Sequence, residues 1–597
     1  MDRLKYSDQL VGWLKELGYT HCFFLAGGNI MHFLHSASQE FECVPFAHEV
    51  TAGIAAEYFN ELSGESGKKA FVLVTAGPGL TNVITAIAGA FLESRDLLVI
   101  GGQVKTSDLA TDQLRQRGIQ EINGSKLVEG VCKVSRTLTS TINEDAFKGL
   151  VRVGEAPRKG PVFIEIPLDV QAAPPIEATN LESLSAPTPE RMEDDYSQIF
   201  EEFLGSKRPV LILGGGLSRK FCSEIYEALR DIHIPIMTTW NGADRFGSEE
   251  ENYWGRPNTW GQRYSNILIQ QADYVLAIGT RLGLQQTGFN WKKFVTLAKL
   301  VCVDIDPNEL KKGHPNLTHG ICTDANDFLK ELLDYSRSMT YEHSEWLQFG
   351  KFVKGSLPLS ESSNPKIPGF VNPYDFVVEL SEHLKDGDIV IPSSSGSAMT
   401  VTMQALQQPR GCRIVTNKSL ASMGYGLGGA IGASLLTGER VIHIEGDGGF
   451  LQNIQDLGTV RKQKLPIKTF ILANGGYASI RMTQLNYFGG TYIGCDEDTG
   501  LGLPDWELLA RSFGLNYYLL NPQNPFDAEV LARLDSPNPE FFVVPVSQNQ
   551  TYFPKISSRV TIDGSMESNP LHLMSPDLTA EQVESFLKYL ISNERSA

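Results

Sequence analysis

Nine short apolar runs set the fold of this chain. They are "KAFVLVT", "LLVIGG", "VFIEIP", "PVLILGG", "YVLAIG", "LVCVDID", "DIVIPS", "RVIHIE" and "TFILAN", rich in β-branched residues and separated by helical patterns. A strand that is apolar on both faces needs cover on both, which helices on either side of a parallel sheet provide. The class is therefore α/β with doubly wound parallel sheets. At 597 residues the chain is too long for one core. Two stretches rich in Pro and Ser, 172–192 and 357–373, read as linkers. They divide the chain into 1–180, 190–350 and 370–550, each able to hold one sheet, followed by an irregular tail, 551–597. No short repeat is present.

Charge and cysteine usage exclude several classes. The net charge of −18, from 52 basic and 70 acidic residues, argues against nucleic acid and anionic membrane surfaces as partners. No apolar run is long enough to span a bilayer. The N-terminal "MDRLKYSDQLVGWLKELGY" reads as an amphipathic helix and not as a signal peptide. The eight Cys are scattered, with no CxxC pair, and read as reduced thiols of a cytoplasmic protein.

The chemistry concentrates where "RVIHIE" ends in "GDGGFL" and "IKTFILA" ends in "NGGY". Open parallel sheets bind ligands at the carboxyl ends of their strands. Asp447 offers hard oxygen there, and Gly446, Gly448 and Gly449 let the backbone approach a ligand. The stretch "LQNIQDLGTVRKQ" is expected as a helix whose positive end faces the loop. Asn474 follows 27 positions after Asp447, which fits a strand, a helix and a strand, with the two strand ends side by side. Asp447, the Asn474 amide oxygen and a backbone carbonyl such as that of Gly476 then suit one Mg²⁺ carrying ligand phosphates. Two ordinary strand-to-helix turns are the plain alternative. The spacing together with both motifs favours the metal–diphosphate site.

With these motifs the sequence resembles the thiamine-diphosphate-dependent enzymes, most closely the acetolactate synthase and pyruvate oxidase branch. The resemblance covers nearly the whole chain. It implies a pyrimidine-binding domain, a central Rossmann-like domain and a diphosphate-binding domain, in that order. "FAHEVTAGIAAEYF" places the family's cofactor-activating carboxylate at Glu49. A Glu hydrogen-bonded to the aminopyrimidine ring promotes the imino tautomer, whose nitrogen takes the proton from the thiazolium C2. Taken alone, Glu49 reads as a helix-start carboxylate. "TAGPGLTN" puts Thr75, Pro78 and Asn82 near the ring. "SLASMGYGLGGAIGA" supplies Met423 as the wedge between the cofactor's rings and the Ala421 carbonyl for its exocyclic amine. A small-residue helix packed on a sheet is the plain reading of that stretch. "SSSGSAM" offers Ser394, Ser395, Gly396 and Ser397 to the diphosphate, without the His seen in many members. Tyr477 and Ile480 follow the metal motif on the cofactor side. Glu49 and Asp447 fall on different domains, and the resemblance implies a homodimer or homotetramer with interfacial sites.

The substrate side departs further. "GGQVKTSDLATDQLRQRGIQEIN" brings Gln120 forward as the residue near the thiazolium, and "LAGGNIMHFLH" offers Asn29 and His32 to the substrate and Gly28 to the cofactor. Amino-acid-synthesising acetolactate synthases carry an acidic residue and later a Trp after the metal motif, where this chain has Tyr477, Ile480, Arg481 and Leu485. That run is more similar to carboligases with other acceptors. In the centre, "PVLILGGG" is Rossmann-like, and Arg281, Asp304 and Asp306 match FAD contacts of the branch, whereas "PNTWGQR" replaces its other FAD loop. FAD stays open.

The resemblance thus implies decarboxylation of a 2-keto acid, with pyruvate the expected donor, and carboligation to a carbonyl acceptor. Hydrolytic C–C cleavage and simple decarboxylation stand as alternatives. A non-catalytic nucleotide-binding module fits poorly with Glu49, Asp447 and Asn474 all in place. The sequence assigns the tail no role, and cover over the active site is one open reading of it.

Overall fold

A computed structural model describes residues 4–111, 113–176, 195–393, 396–560 and 564–594. The first expected linker therefore falls largely outside the described residues. The apolar runs become the strands of three parallel sheets. The first holds β1 (Tyr19–Phe24), β2 (Glu42–Pro45), β3 (Lys69–Val74), β4 (Leu97–Gln103), β5 (Val134–Thr137) and β6 (Pro161–Pro167), in the order 2-1-3-4-6-5. The second holds β7 (Pro209–Leu213), β8 (Ile236–Thr238), β9 (Tyr274–Ile278), β10 (Lys299–Asp304) and β11 (Leu317–Cys322), in the order 11-10-9-7-8. The third holds β12 (Ile389–Pro392), β13 (Arg413–Ile414), β14 (Val441–Gly446), β15 (Ile467–Ala473), β16 (Asn516–Leu519) and β17 (Glu540–Pro545), in the order 13-12-14-15-17-16. Every residue of β4 and β6 is buried, as strands covered on both faces require.

The first and third sheets meet through two helices. Glu49–Leu62 packs on Tyr425–Thr437, the small-residue stretch of the sequence. That stretch touches a sheet at Gly426, where an added Cβ would lie 2.5 Å from the His443 ring. Its closest approach, though, is to the other helix: a Cβ at Gly432 would lie 2.0 Å from the Ala55 carbonyl oxygen. Glycine is needed there because the two backbones nearly touch.

Buried and half-buried charge pairs tie the three sheets together. Arg95 pairs with Glu57 at 2.7 Å and donates to the Thr416 carbonyl at 2.8 Å. Arg219 bridges Glu61 and Asp244, each at 2.7 Å. The Asp244 carboxylate in turn takes the Ile414 N–H at 2.9 Å.

The tail belongs to the central domain. Leu571, Phe586 and Leu587 are buried in one core with Val210, Val275 and Trp346. Arg263 donates to the Met574 and Pro576 carbonyls, and the Ile556 N–H to the Thr259 carbonyl. The tail is thus chiefly a structural cover of the second sheet, and only its first residues approach the carboxyl end of β15. Among the described residues no helix is long and apolar enough to cross a membrane.

Candidate active site

The two strands flagged in the sequence run side by side, with Gly446 of β14 in register with Leu472 of β15. Asp447 therefore lies beside the end of β15. Its carboxylate is 1% exposed and accepts N–H bonds from Gly448 at 2.8 Å, Gly475 at 2.7 Å and Gly476 at 3.2 Å. Burial pushes its pKa up to about 6 against those donors. Gly476 has φ 128°, and a Cβ there would lie 2.2 Å from the Cys495 carbonyl oxygen, so only glycine fits.

The Asn474 side-chain oxygen stands 3.0 Å from the Gly476 carbonyl oxygen and 3.3 Å from Asp447 Oδ1. Turned over, the amide would donate to both. As it stands, three oxygens face one another with no proton between them, an arrangement that suits a hard cation. Asn474 Nδ2 meanwhile faces two hydroxyls, Ser397 Oγ at 3.4 Å and Tyr552 Oη at 3.3 Å. No cluster of three or more His, Cys, Asp or Glu suited to a metal occurs among the described residues. One carboxylate, one amide oxygen and one carbonyl fit Mg²⁺ that keeps phosphate and water ligands, and they do not fit zinc.

The stretch expected as a helix after this loop is broken. A short turn, Asp447–Phe450, leads into a 3₁₀ segment, Leu451–Asp456, and only then into a helix, Leu457–Gln463. Asn453 leaves helical geometry at φ −137° and donates to the Gly424 carbonyl at 2.7 Å. Asp456 accepts the Ala47 N–H at 2.8 Å. These tertiary bonds outweigh helix propensity.

The same Gly424 gives its N–H to Glu445 at 3.1 Å. The loop carrying Ala421, at φ 52°, and Met423 is thereby fastened above "GDGG". A Cβ at Gly449 would lie 3.7 Å from Met423. Met423 is 36% exposed, a large apolar side chain left open on the site. Gly396, at φ 78°, opens the helix Gly396–Ala405, whose N-terminus carries Ser397. Ser394 and Ser395 lie outside the described residues. Tyr477 covers Gly448, where a Cβ would come within 2.7 Å of its ring. Ile480 is 49% exposed on the helix Ala478–Phe488.

A second cluster forms at the carboxyl edge of the first sheet. Glu49 is 3% exposed and begins its helix, and Asn82 Nδ2 donates to its Oε2 at 3.0 Å. Pro78 is the first residue of the helix Pro78–Glu93, after Gly77 at φ 65°. A Cβ at Gly77 would lie 2.4 Å from the Gln120 carbonyl oxygen, so the Gln120 loop closes on this turn. Gln120 itself is exposed, at φ 62°. Thr75 presses on Gly27, and its hydroxyl is buried without a partner. Gly28 opens a 3₁₀ turn, Gly28–Ile30. His32 lies just beyond it, its pKa lowered by burial, with Lys5 and His35 as charged neighbours.

Sequence reading missed Tyr552, Asn453 and Glu445. Glu445 adjoins the quoted motif, and a carboxylate two residues after a His inside an apolar run was its signal. Tyr552 and Asn453 had none.

In the second sheet, Gly214, Gly279 and Asp304 mark strand ends. Gly215, Gly216, Arg281 and Asp304 line a cavity of about 1490 Å³ that reaches all three domains. Arg281 donates to Ser419 Oγ at 2.6 Å, and Asp306 pairs with Arg158. Residues 257–263 do not line this cavity. They pack on the helix Gly396–Ala405 instead, where Gln404 donates to the Gly261 carbonyl at 3.0 Å.

Comparison with known proteins agrees with this geometry. The thiamine pyrophosphate enzyme models match in order: the N-terminal TPP binding domain over residues 4–127, the central domain over 196–332 and the C-terminal TPP binding domain over 394–544. The chain belongs to the thiamine pyrophosphate enzymes. Within them it is similar to acetolactate synthases. Acetolactate synthase 1, chloroplastic, of Zea mays is 28% identical over 93% of this chain and 88% of its own length. The chloroplastic enzyme of Arabidopsis thaliana is 27% identical over 94% and 84%. The large subunit from Cyanidium caldarium is 28% identical over 85% and 87%.

Proposed function

We propose that this protein decarboxylates a 2-keto acid, with pyruvate the donor, and joins the remaining two-carbon unit to a carbonyl acceptor. The observation that carries the reading is the convergence of Asp447, Asn474 and Gly476 oxygens at paired strand ends, directly beneath Met423. When bound, thiamine diphosphate supplies an acidic thiazolium carbon and an electron sink for decarboxylation.

The chain's own residues do the rest. Asp447, Asn474 and the Gly476 carbonyl would hold Mg²⁺, which would offset the charge of the diphosphate. Gly396 and Ser397, at a helix N-terminus, orient phosphate oxygens, and Gly446, Gly448 and Gly449 leave room for them. Met423 and the Ala421 carbonyl, on the loop fixed by Glu445 and Asn453, set the shape the cofactor adopts. Gly28, Thr75, Pro78, Tyr477 and Ile480 frame it. Glu49, kept in place by Asn82, holds and moves the proton at the aminopyrimidine ring. Gln120 and His32 face the substrate.

The two clusters are proposed to complete each other between subunits. Among the described residues no hydrogen bond or ion pair joins Glu49 to Asp447 or Asn474. The helix beside the metal group leaves Leu485, Tyr487 and Phe488 more than half exposed, which suits cover by a second copy. A homodimer, or a tetramer of two such pairs, follows. The central cavity is proposed for FAD, whose absorbance in the purified protein would report it. All eight Cys are free thiols, which suits the cytoplasm.

Incubation with pyruvate, thiamine diphosphate and Mg²⁺ tests the reading. Release of CO₂ with a condensation product seen by NMR supports it. CO₂ with free aldehyde alone would replace carboligation by simple decarboxylation, and no CO₂ from protein that binds the cofactor would overturn pyruvate as donor.

A further inference from the structure

The Asn474 amide has to choose between two orientations, and its surroundings on the far side bear on the choice. Without a cation, the amide turned over is fully served, since both N–H groups reach oxygens of Asp447 and Gly476. With a cation the oxygen must face those groups, and the two N–H groups then need acceptors elsewhere. Ser397 Oγ at 3.4 Å and Tyr552 Oη at 3.3 Å are those acceptors.

Tyr552 is built in firmly for a residue of an irregular stretch. It is 7% exposed, its ring packed in the core of the third sheet. Asn364 grips the next residue on both sides, accepting the Phe553 N–H at 2.9 Å and donating to its carbonyl at 2.7 Å. Gln404 donates to the Pro554 carbonyl at 2.7 Å, and Thr551 to the Ser363 carbonyl at 2.7 Å. Tyr552 lies beyond the residues matched to the C-terminal TPP binding domain, which end at 544.

We propose that Tyr552 is a positioning residue of the metal–diphosphate site, whose hydroxyl accepts from Asn474 Nδ2 and so keeps the amide oxygen turned toward Asp447 and the Gly476 carbonyl. This rests on the reading that those three groups hold the cation. Removing the hydroxyl leaves one buried N–H unsatisfied in the cation-holding orientation. In the turned orientation it removes only one donor from a carbonyl oxygen, a smaller loss. The change therefore bears on cation affinity more than on folding.

The test is Mn²⁺ binding to the full-length protein with thiamine diphosphate present, read from the EPR signal of free Mn²⁺, alongside melting of the metal-free protein. Tyr552→Phe is expected to weaken Mn²⁺ binding by about 10–100-fold, the usual effect of losing a ligand's outer hydrogen bond, with metal-free melting unchanged. Asp447→Asn should lose Mn²⁺ altogether. Ser397→Ala removes the other acceptor, and, read with Mn²⁺ alone so that no phosphate contact enters, should weaken Mn²⁺ in the same direction even if Tyr552→Phe misfolds. Wild-type affinity in Tyr552→Phe, or in Ser397→Ala should Tyr552→Phe misfold, beside an inert Asp447→Asn, would overturn the positioning role and leave the cation site standing. Metal-free melting that falls in step with affinity would reduce Tyr552 to packing and overturn it equally. Undiminished Mn²⁺ binding by Asp447→Asn would overturn the cation reading itself, and this inference with it.

Discussion

Three carboxylates stand at the ligand edges of the first and third sheets, and their surroundings separate their roles. Glu49 has one amide partner and begins a helix, Asp447 sits in a cage of backbone N–H groups, and Glu165 is buried against Gly124. Glu165 accepts from Gln103 at 3.0 Å and Thr137 at 2.9 Å, and burial pushes its pKa up to about 7. The folded chain thus holds a proton that the unfolded chain releases above about 4.5, so this group increasingly opposes folding as pH rises between those values. Glu165→Gln is expected to melt like wild type below pH 5 and to be more stable by on the order of 2–3 kcal/mol above pH 7. A difference that does not change with pH would contradict this. The juxtaposition of Asp447, Asn474 and Gly476 was legible in the sequence because small residues end two strands at a fixed spacing. Tyr552 was not, because its link to Asn474 spans an irregular stretch with no periodicity to read.

At the level of elements, apolar runs announced the strands, and parallel pairing followed from their double-sided burial. The break at Asn453 was hidden, because its causes are bonds to Gly424 and Ala47, far away in sequence. The tail was hidden for a similar reason. Its apolar residues are sparse and aperiodic, yet Leu571 is fully buried and Phe586 is 5% exposed in the central core. Truncation after Pro554 opens that core, and thermal unfolding should show the truncated chain losing its central-domain transition or melting well below the full chain. A truncated chain that melts like the full one would place the tail outside the core.

For the whole molecule, three sheets were foreseeable from length and linkers, whereas the strand orders and the buried Arg95–Glu57 and Arg219–Asp244 ties were not, since both depend on contacts between domains. Those ties fix the halves of the site within one chain, and the proposed pairing of subunits brings complementary halves together. Co-expressing Glu49→Gln with Asp447→Asn should therefore restore part of the activity that each variant lacks alone, because a mixed dimer holds one intact site. Absence of any recovery in an isolated mixed dimer would place both residues in a site within one chain. The most direct test of the account is exchange of the thiazolium C2 proton for deuterium in the Mg²⁺–thiamine diphosphate complex, wild type against Glu49→Gln. Exchange is expected to slow by about 10²–10⁴-fold in the variant with the cofactor still bound; equal exchange in both would show that Glu49 does not activate the cofactor.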